Sequence, residues 1–213
     1  DGGRKVWALA RTGLVANVAG DAADELGAYV LLATSCDKSL ATTATFTSIR
    51  VVCQNTLGFA MDDMKSQQRR HVKVDHTKKF DPAPIKETLG LIDEAWSQFL
   101  GRINPMASRR LSDQEAQRYF ESIFVSDKEW KEGKQPSNPK YKEINQIMSL
   151  FHSARGQNLA TANGTLWGAV NAVTNYTDHV RSTKTIERID SAWFGTGAAL
   201  KEKAWKRALD LLS

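Results

Sequence analysis

Asp178 and His179 are the residues of this chain whose types could most directly do chemistry, and Asn175 lies one helical turn before them. A carboxylate and an imidazole at such a spacing can share a metal ion or act together in hydrolysis. No second histidine or carboxylate pair occurs at a matching spacing. The pattern therefore favours a buried polar network that fixes helix packing, and we predict neither catalytic residues nor metal ligands.

A second candidate is residues 195–197, Gly-Thr-Gly, with Lys201 one turn later. A glycine-containing turn before a helix leaves backbone N–H groups that can hold a phosphate. The full Walker or dinucleotide spacing is absent, so a simple helix entry explains these residues better. We predict no bound cofactor.

Cys53 and three aromatic residues have a simpler interpretation as core side chains. Cys53 falls among apolar residues, and no histidine spacing favours a nucleophile pair with it. With Cys36 it makes up the whole cysteine content, in a pattern typical of reduced thiols in a cytosolic protein. For Trp167, Trp193 and Phe194, core packing is favoured over base stacking.

The densest charge lies in residues 65–79, which hold six Lys or Arg against one Asp. Val72 and Val74 alternate there with polar neighbours, which predicts a strand over 71–76 with one basic face. Two interpretations stay open: a surface that binds phosphates, and a solvated edge strand protected by its charge. With Arg50 added from the preceding segment, the candidate nucleic-acid-binding residues are Arg50, Lys65, Arg69, Arg70, Lys73, Lys78 and Lys79.

The overall composition agrees with an anionic partner. The 213 residues carry a net charge of +5, a modest surplus that favours nucleic acid without requiring it. No apolar run approaches the roughly 20 residues that span a bilayer, and no signal-peptide core follows the first residues, so we expect an intracellular protein without membrane contact. The missing initiator Met suggests a fragment or a processed product.

The elements that must position these residues follow from hydrophobic periodicity. Strands are predicted at 6–10, 28–34 and 39–46, with a loop or short helical turn over 12–27 and a hairpin between the last two strands. Apolar residues at three- and four-residue steps predict a long helix over 47–64 that closes the sheet. The predicted fold class is α+β: an antiparallel β-meander packed by a long helix, followed by an α-helical C-terminal half. We expect residues 1–80 and 81–213 to pack as one unit.

The C-terminal half contains the remaining helix signals. Pro82 and Pro84 open a helix that Pro105 should stop. Ser112 to Glu115 has the capping-box form. Further helices are predicted at 141–152, 166–180 and 198–212, with an exposed connector over 128–140 and a loop over 154–164.

Four segments of the chain resemble motifs of the phage/plasmid-like protein family of unknown function (the domain of unknown function 932 type). The resemblance is carried by residues 167–179 (WGAVNAVTNYTDH) and 191–201 (SAWFGTGAALK), which resemble its C-terminal signature, and by 5–10 (KVWALA) and 50–57 (RVVCQNTL). It implies a mobile-element context in a bacterial cytoplasm and supplies no catalytic residues.

The strand meander followed by a helix is also similar to the core of phage single-strand annealing proteins, which is an analogy of fold only. We therefore expect a non-enzymatic DNA-binding protein that binds or anneals single strands in recombination, as a homo-oligomer. The alternative is a mobile-element adaptor that binds a host or phage protein and no nucleic acid. An enzyme is disfavoured because no acid/base or metal constellation is assembled in the sequence.

Overall fold

One antiparallel sheet begins the chain, and helices follow it. The computed structural model of the protein describes residues 5–37, 39–58, 71–74, 92–182 and 184–213. The strands are β1 (Lys5–Asn17), β2 (Glu25–Ser35), β3 (Thr42–Arg50), β4 (Asn55–Gly58) and β5 (His71–Val74). Strand β2 lies between β1 and β3, and the other edge of β3 pairs with β4 along one half and with β5 along the other. The predicted strands at 6–10, 28–34 and 39–46 are confirmed with shifted ends, and the predicted strand over 71–76 is confirmed for residues 71–74, the part of it that the structure describes.

The predicted loop over 12–27 is shorter than expected, because β1 continues to Asn17. The register shifts between Arg11 and Val15, where Gly13 takes a φ of +90°. This irregularity bends the strand without ending it. A single 3₁₀ turn at Val18–Gly20 then reverses the chain, closed by a 2.9 Å hydrogen bond from the Val18 N–H to the Asp24 carbonyl.

The predicted helix over 47–64 is wrong for every residue of it that the structure describes. Strand β3 runs on to Arg50, residues 51–54 form a tight turn in which Gln54 has a φ of +58°, and β4 returns to Gly58. The segment is rich in β-branched Thr, Ile and Val, which favour strands. Alternate residues, among them Phe46, Ser48 and Leu57, face the core, so a period of two replaces the helical period. Residues 59–64 lie outside the described part.

Seven α-helices follow in the described residues: α1 (Ile92–Ser108), α2 (Asp113–Ile123), α3 (Asp127–Lys131), α4 (Asn138–Ser153), α5 (Leu166–Asn175), α6 (Thr185–Phe194) and α7 (Thr196–Asp210). Helix α5 continues into a π-helical turn, Tyr176–Val180. The capping box of α2 is present as predicted, with Ser112 and Glu115 each accepting a backbone hydrogen bond from the other. The predicted connector over 128–140 contains most of α3 and the start of α4.

Pro105 lies inside α1 and does not stop it. A proline removes one backbone hydrogen bond, here to the carbonyl of Gly101, which lies on the exposed side of the helix where water can replace it. Met106 and Ala107 are buried just beyond the proline. Their burial favours continuation of the helix.

The core lies between the sheet and the helices. It contains β-strand residues such as Leu26, Val30 and Phe46 together with Trp96, Phe120 and many further helix residues. The predicted α+β class, an antiparallel sheet followed by an α-helical C-terminal half, is confirmed. No helix among the described residues is both long enough and apolar enough to span a membrane.

Candidate functional site

Two features of the structure gather polar side chains: a buried junction between sheet and helices, and an open groove on the helical half. The junction is built by Asp24, Arg50, Asn55, Thr56, Thr161, Trp167, Asn171, Asn175, Asp178 and Lys201, and we call this set the polar junction. Most of these residues belong to the segments 50–57, 167–179 and 191–201, which carry the family resemblance. The polar junction therefore brings these three segments together in space.

Asp24 and Arg50 form the charged centre of the polar junction. Arg50 donates from Nε to Asp24 Oδ1 at 2.5 Å, and from Nη2 to Asp24 Oδ2 at 2.8 Å and to the Gly156 carbonyl at 3.1 Å. Thr161 and Trp167 donate to the same carboxylate at 2.6 and 3.3 Å. The pair joins the sheet to the loop before α5 and to α5 itself.

Arg50 was predicted to contact nucleic acid, and its position corrects that prediction. Only 2% of the residue is exposed. The prediction placed it on the polar side of a helix, whereas strand β3 turns it toward the core, in register with Leu26. A guanidinium whose charge is already held by an enclosed carboxylate cannot contact a phosphate at the surface.

An amide ladder extends the polar junction along α5. Asn55 donates to the Asn171 carbonyl at 3.1 Å, and Asn175 donates to Asn55 Oδ1 at 3.3 Å. Every residue of helix α5 is buried, and the loop before it approaches Gly168 closely because this glycine has no side chain. A Cβ on Gly168 would lie 1.9 Å from the Ala162 carbonyl oxygen.

Asp178 and Lys201 form the second buried charge pair. Thr56 donates from its backbone N–H and its hydroxyl to Asp178 Oδ2 at 2.7 and 2.9 Å. Lys201 Nζ lies 2.8 Å from Asp178 Oδ1 and 2.9 Å from the Thr56 hydroxyl, and the two charged side chains are 7% and 6% exposed. The carboxylate is thus used within the protein, which confirms the predicted buried polar network for Asp178 and Asn175, whereas His179 is exposed and outside it.

The phosphate pattern of residues 195–197 is also occupied within the protein. The Gly197 N–H donates to the Ser191 hydroxyl at 3.1 Å, and Lys201 is committed to Asp178. These residues form the entry turn of α7. Within the described ranges, no group of three or more His, Cys, Asp or Glu side chains could hold a metal ion.

Of the remaining core candidates, Cys53 and Trp167 are buried as predicted, whereas Trp193 and Phe194 are half-buried. Cys53 is buried, and burial raises the pKa of its thiol. Trp167 is 1% exposed. Trp193 is half-buried against Trp7, with ring centroids 4.6 Å apart in an edge-on arrangement. Lys5 pairs with Asp190 beside it, so the first strand is fastened to α6.

The open groove lies between α2, α3 and α7 and has a volume of about 640 Å³. Its polar lining is mostly charged, and its apolar lining includes two aromatic rings. We call it the cationic groove, and it is lined by Arg109, Leu111, Glu115, Arg118, Tyr119, Ser122, Asp127, Trp130, Lys131, Lys206, Arg207, Asp210 and Leu211. Tyr119 is buried, with its hydroxyl donating to the Ala204 carbonyl at 2.9 Å, so it is fixed in place beneath the opening.

Cations outnumber acids in the cationic groove by five to three. Arg109 is 3.6 Å from Glu115, and Lys206 is 2.5 Å from Asp127. Among the described residues, Arg118 and Lys131 have neither an ion-pair partner nor a hydrogen-bond partner, and both are exposed. Two uncommitted charges therefore face a groove whose acids are already paired.

Arg207 is the buried cation of the cationic groove, with 9% of its side chain exposed. Its Nη2 lies 3.0 Å from Asp127 Oδ1 and yet makes no hydrogen bond. Its Nε donates to the Ser122 carbonyl at 3.4 Å, and Asp210 lies 3.7 Å from Nη1. The hydrogen bond from Lys206, aided by the nearby positive charges, lowers the pKa of Asp127. The carboxylate is therefore ionised at neutral pH.

Of the predicted basic run over 65–79, only residues 71–74 fall in the part of the chain that the structure describes. Lys73 lies in β5, in register opposite Thr43. Lys65, Arg69, Arg70, Lys78 and Lys79 lie outside the described residues, so their assignment stays a prediction. The cationic groove escaped sequence reasoning because its cations are distributed over residues 109–207 and are brought together only by helix packing. The local signal was the Lys206–Arg207 pair in the last helix.

One family model matches this chain, and it covers residues 1–193. The family is described as a domain of unknown function (DUF932). No curated protein and no solved structure matches the chain.

Proposed function

Since the chain belongs to the DUF932 family, whose description names no activity, we propose from the geometry that it is a non-enzymatic protein that binds single-stranded DNA in the cationic groove. The observation that carries the proposal is the pair of uncommitted cations, Arg118 and Lys131, beside the half-buried Trp130. Sites that bind single-stranded nucleic acid usually combine positive charges, which contact the phosphate backbone, with aromatic rings on which the bases stack.

The groove suits a single strand better than a duplex. Phosphates are contacted by Arg118 and Lys131 at the surface, and an unstacked base lies against the Trp130 ring. Such a base is available in a single strand, whereas a duplex keeps its bases stacked and paired. Because the contacts are made to phosphates and to a base face, the binding is tolerant of sequence.

The basic run over 65–79 supplies further candidate phosphate contacts. The net charge of +5 favours association with a polyanion, and the resemblance to phage/plasmid-like proteins supplies the context of a mobile element in a bacterial cytoplasm. Within that context we propose annealing of single strands during recombination by a homo-oligomer. Each additional phosphate contact steepens the salt dependence of binding.

The test is binding of a fluorescein-labelled oligothymidylate, measured by anisotropy over a series of salt concentrations. The double variant R118Q/K131Q should bind about tenfold more weakly, with a salt slope about 1.4 smaller, since two phosphate contacts contribute about 0.7 each for a single strand. The matched control is K142Q/R155Q, which removes the same charge from exposed residues outside the groove. Equal losses of affinity in both double variants would mean that the effect comes from net charge alone, and would refute DNA binding in the cationic groove.

Trp130→Leu tests the stacking contact separately. Leucine keeps apolar bulk but has no ring face, so affinity should fall by about 1 kcal/mol or more while the salt slope is unchanged. A change in slope without a change in affinity at low salt would contradict a stacking role.

A second candidate function is that of an adaptor which binds another protein. It is favoured by exposed apolar residues of strand β1, where Val6 is 57%, Trp7 44% and Val15 48% exposed. Light scattering with and without oligothymidylate distinguishes the two functions. Growth of the assembly on DNA favours annealing, whereas indifference to DNA favours the adaptor.

A further inference from the structure

We propose that Asp127 occupies the phosphate position of the cationic groove in the free protein, and that a phosphate of the nucleic acid displaces it from Lys206 and Arg207. Asp127 is then an internal competitor that sets the affinity of the groove. This inference rests on the proposed function, and it adds a residue that controls binding without contacting the nucleic acid in the complex.

The geometry around Asp127 is that of a bound oxyanion. Lys206 Nζ lies 2.5 Å from Oδ2, and Arg207 Nη2 lies 3.0 Å from Oδ1, so each oxygen of one carboxylate faces one cation. Carboxylates and phosphates present similar pairs of oxygens to an arginine fork and to a lysine ammonium. A phosphate oxygen pair can therefore take the same place.

Arg207 is prepared for a better partner than Asp127. Its Nη2 is buried and close to the carboxylate, yet no hydrogen bond forms. A buried donor that lacks a hydrogen-bond acceptor costs free energy, and a ligand that supplies the acceptor recovers it. Asp210 does not satisfy Nη2, because its carboxylate lies 3.7 Å from the other terminal nitrogen of the guanidinium, Nη1.

Asp127 can leave the cations without dismantling its helix. It is the first residue of the five-residue helix α3, and its side chain is 47% exposed. The start of α3 is held by Ser126 and Glu129, whose reciprocal hydrogen bonds do not involve Asp127. Rotation of the carboxylate into water therefore leaves the capping box intact.

The consequence is a gain of function on removal of the acid. In Asp127→Asn, Lys206 and Arg207 are released without competition, so oligothymidylate should bind about tenfold more tightly than to the wild type, with a salt slope close to that of the wild type because both complexes make the same phosphate contacts. Asp127→Ser, which retains a residue suited to a helix start, should give the same gain. The second variant guards against misfolding of the first, and circular dichroism confirms the fold of both.

Asp210→Asn is the matched control, because it removes the same charge from the lining of the same groove without vacating the position between Lys206 and Arg207. A gain clearly larger in both Asp127 variants than in Asp210→Asn supports displacement. Equal gains, or no gain in variants that bind DNA as the wild type does, overturn the inference and leave the proposed function standing. Failure of the wild type and of every variant to bind overturns the proposed function itself.

Discussion

The guanidinium of Arg50 and the carboxylate of Asp24 face each other through two hydrogen bonds, at 2.5 and 2.8 Å, in a space where neither side chain is more than 2% exposed. Asp24 directly precedes β2 and Arg50 is the last residue of the neighbouring strand β3, and through Gly156, Thr161 and Trp167 they connect the sheet to the helical half. A charge pair so enclosed is sensitive to the loss of one partner, because the other is left buried and unpaired.

Arg50→Met should therefore destabilise the protein by about 3–5 kcal/mol, since it leaves the Asp24 carboxylate buried without its cation. The free energy of unfolding from urea denaturation, followed by far-ultraviolet circular dichroism, measures the effect. The control is Glu187→Gln, which breaks an ion pair with Lys184 whose side chains are 61% and 75% exposed and should leave the transition midpoint unchanged. A mild effect of Arg50→Met would contradict the structural role assigned to the pair.

The contrast between Arg50 and Ser112 shows which features a sequence can reveal. The Ser112–Glu115 capping box depends on residues three apart, so the local pattern predicted it correctly. Arg50 depends on Asp24, which is 26 residues away, and on the loop around residue 156. Because the sequence does not show which residues contact Arg50, the helical spacing of the neighbouring apolar residues was given more weight than the strand preference of the β-branched ones. Both the predicted helix and the predicted DNA contact of Arg50 were therefore wrong.

In the candidate site, too, local features could be predicted from the sequence and long-range contacts could not. The local charge density of residues 65–79 was visible in the sequence, whereas the cationic groove combines helices α2, α3 and α7, whose pairing depends on core contacts such as that of Tyr119 with Ala204. The polar network around Asp178 was predicted because the sequence lacks a second histidine or carboxylate pair at the spacing that a metal site or a hydrolytic site requires. Its actual partners, Thr56 and Lys201, could not be named without the fold.

A double-mutant cycle at Asp178 and Lys201 should reveal strong coupling. Asp178→Asn and Lys201→Met should each cost about 3–5 kcal/mol, and the double variant should cost clearly less than their sum, because the second change removes the charge that the first one stranded. Urea denaturation of the four proteins supplies the cycle. Additive losses would mean that the 2.8 Å contact contributes no pairwise stability.

Gly168 and Gly101 offer a matched pair of glycine-to-alanine variants. A Cβ on Gly168 would lie 1.9 Å from the Ala162 carbonyl oxygen and 2.8 Å from Gln157 Oε1, whereas a Cβ on Gly101 meets nothing within 4 Å. Gly168→Ala should therefore be strongly destabilising, by about 3 kcal/mol or more. Gly101→Ala, on the exposed side of α1, should stabilise by about 0.5–1 kcal/mol. Thermal melting of both variants measures the difference, and a stable Gly168→Ala protein would exclude the close packing of α5.

The capping box of α2 should give a pH-dependent contribution to stability. Hydrogen bonds from the backbone and the hydroxyl of Ser112 lower the pKa of Glu115 from its ordinary value of 4.5. A carboxylate whose pKa is depressed in the folded state contributes stability above its unfolded pKa and loses it as the pH falls through the folded value. Ser112→Ala should thus lower the melting temperature at neutral pH, and the difference from the wild type should shrink below about pH 4. Glu115→Gln, which cannot ionise, should show a flatter profile over the same range; a pH-independent wild type would contradict the assignment.

The basic run is tested by replacing Arg69, Arg70 and Lys73 together with glutamine. If these residues contact phosphates, the salt slope for oligothymidylate should fall by up to about 2, since three contacts at about 0.7 each are lost, and affinity at low salt should fall with it. Strand β5 pairs with β3 through its backbone, with Lys73 opposite Thr43, so the glutamine side chains should preserve the sheet, which circular dichroism can check. Combining the triple variant with R118Q/K131Q tests whether the basic run and the cationic groove bind the same DNA strand. If the loss of salt slope in the combined variant equals the sum of the two separate losses, one DNA strand contacts both the basic run and the cationic groove. An unchanged slope in the triple variant instead assigns DNA binding to the cationic groove and favours the interpretation of the basic run as an edge β-strand protected by its charge.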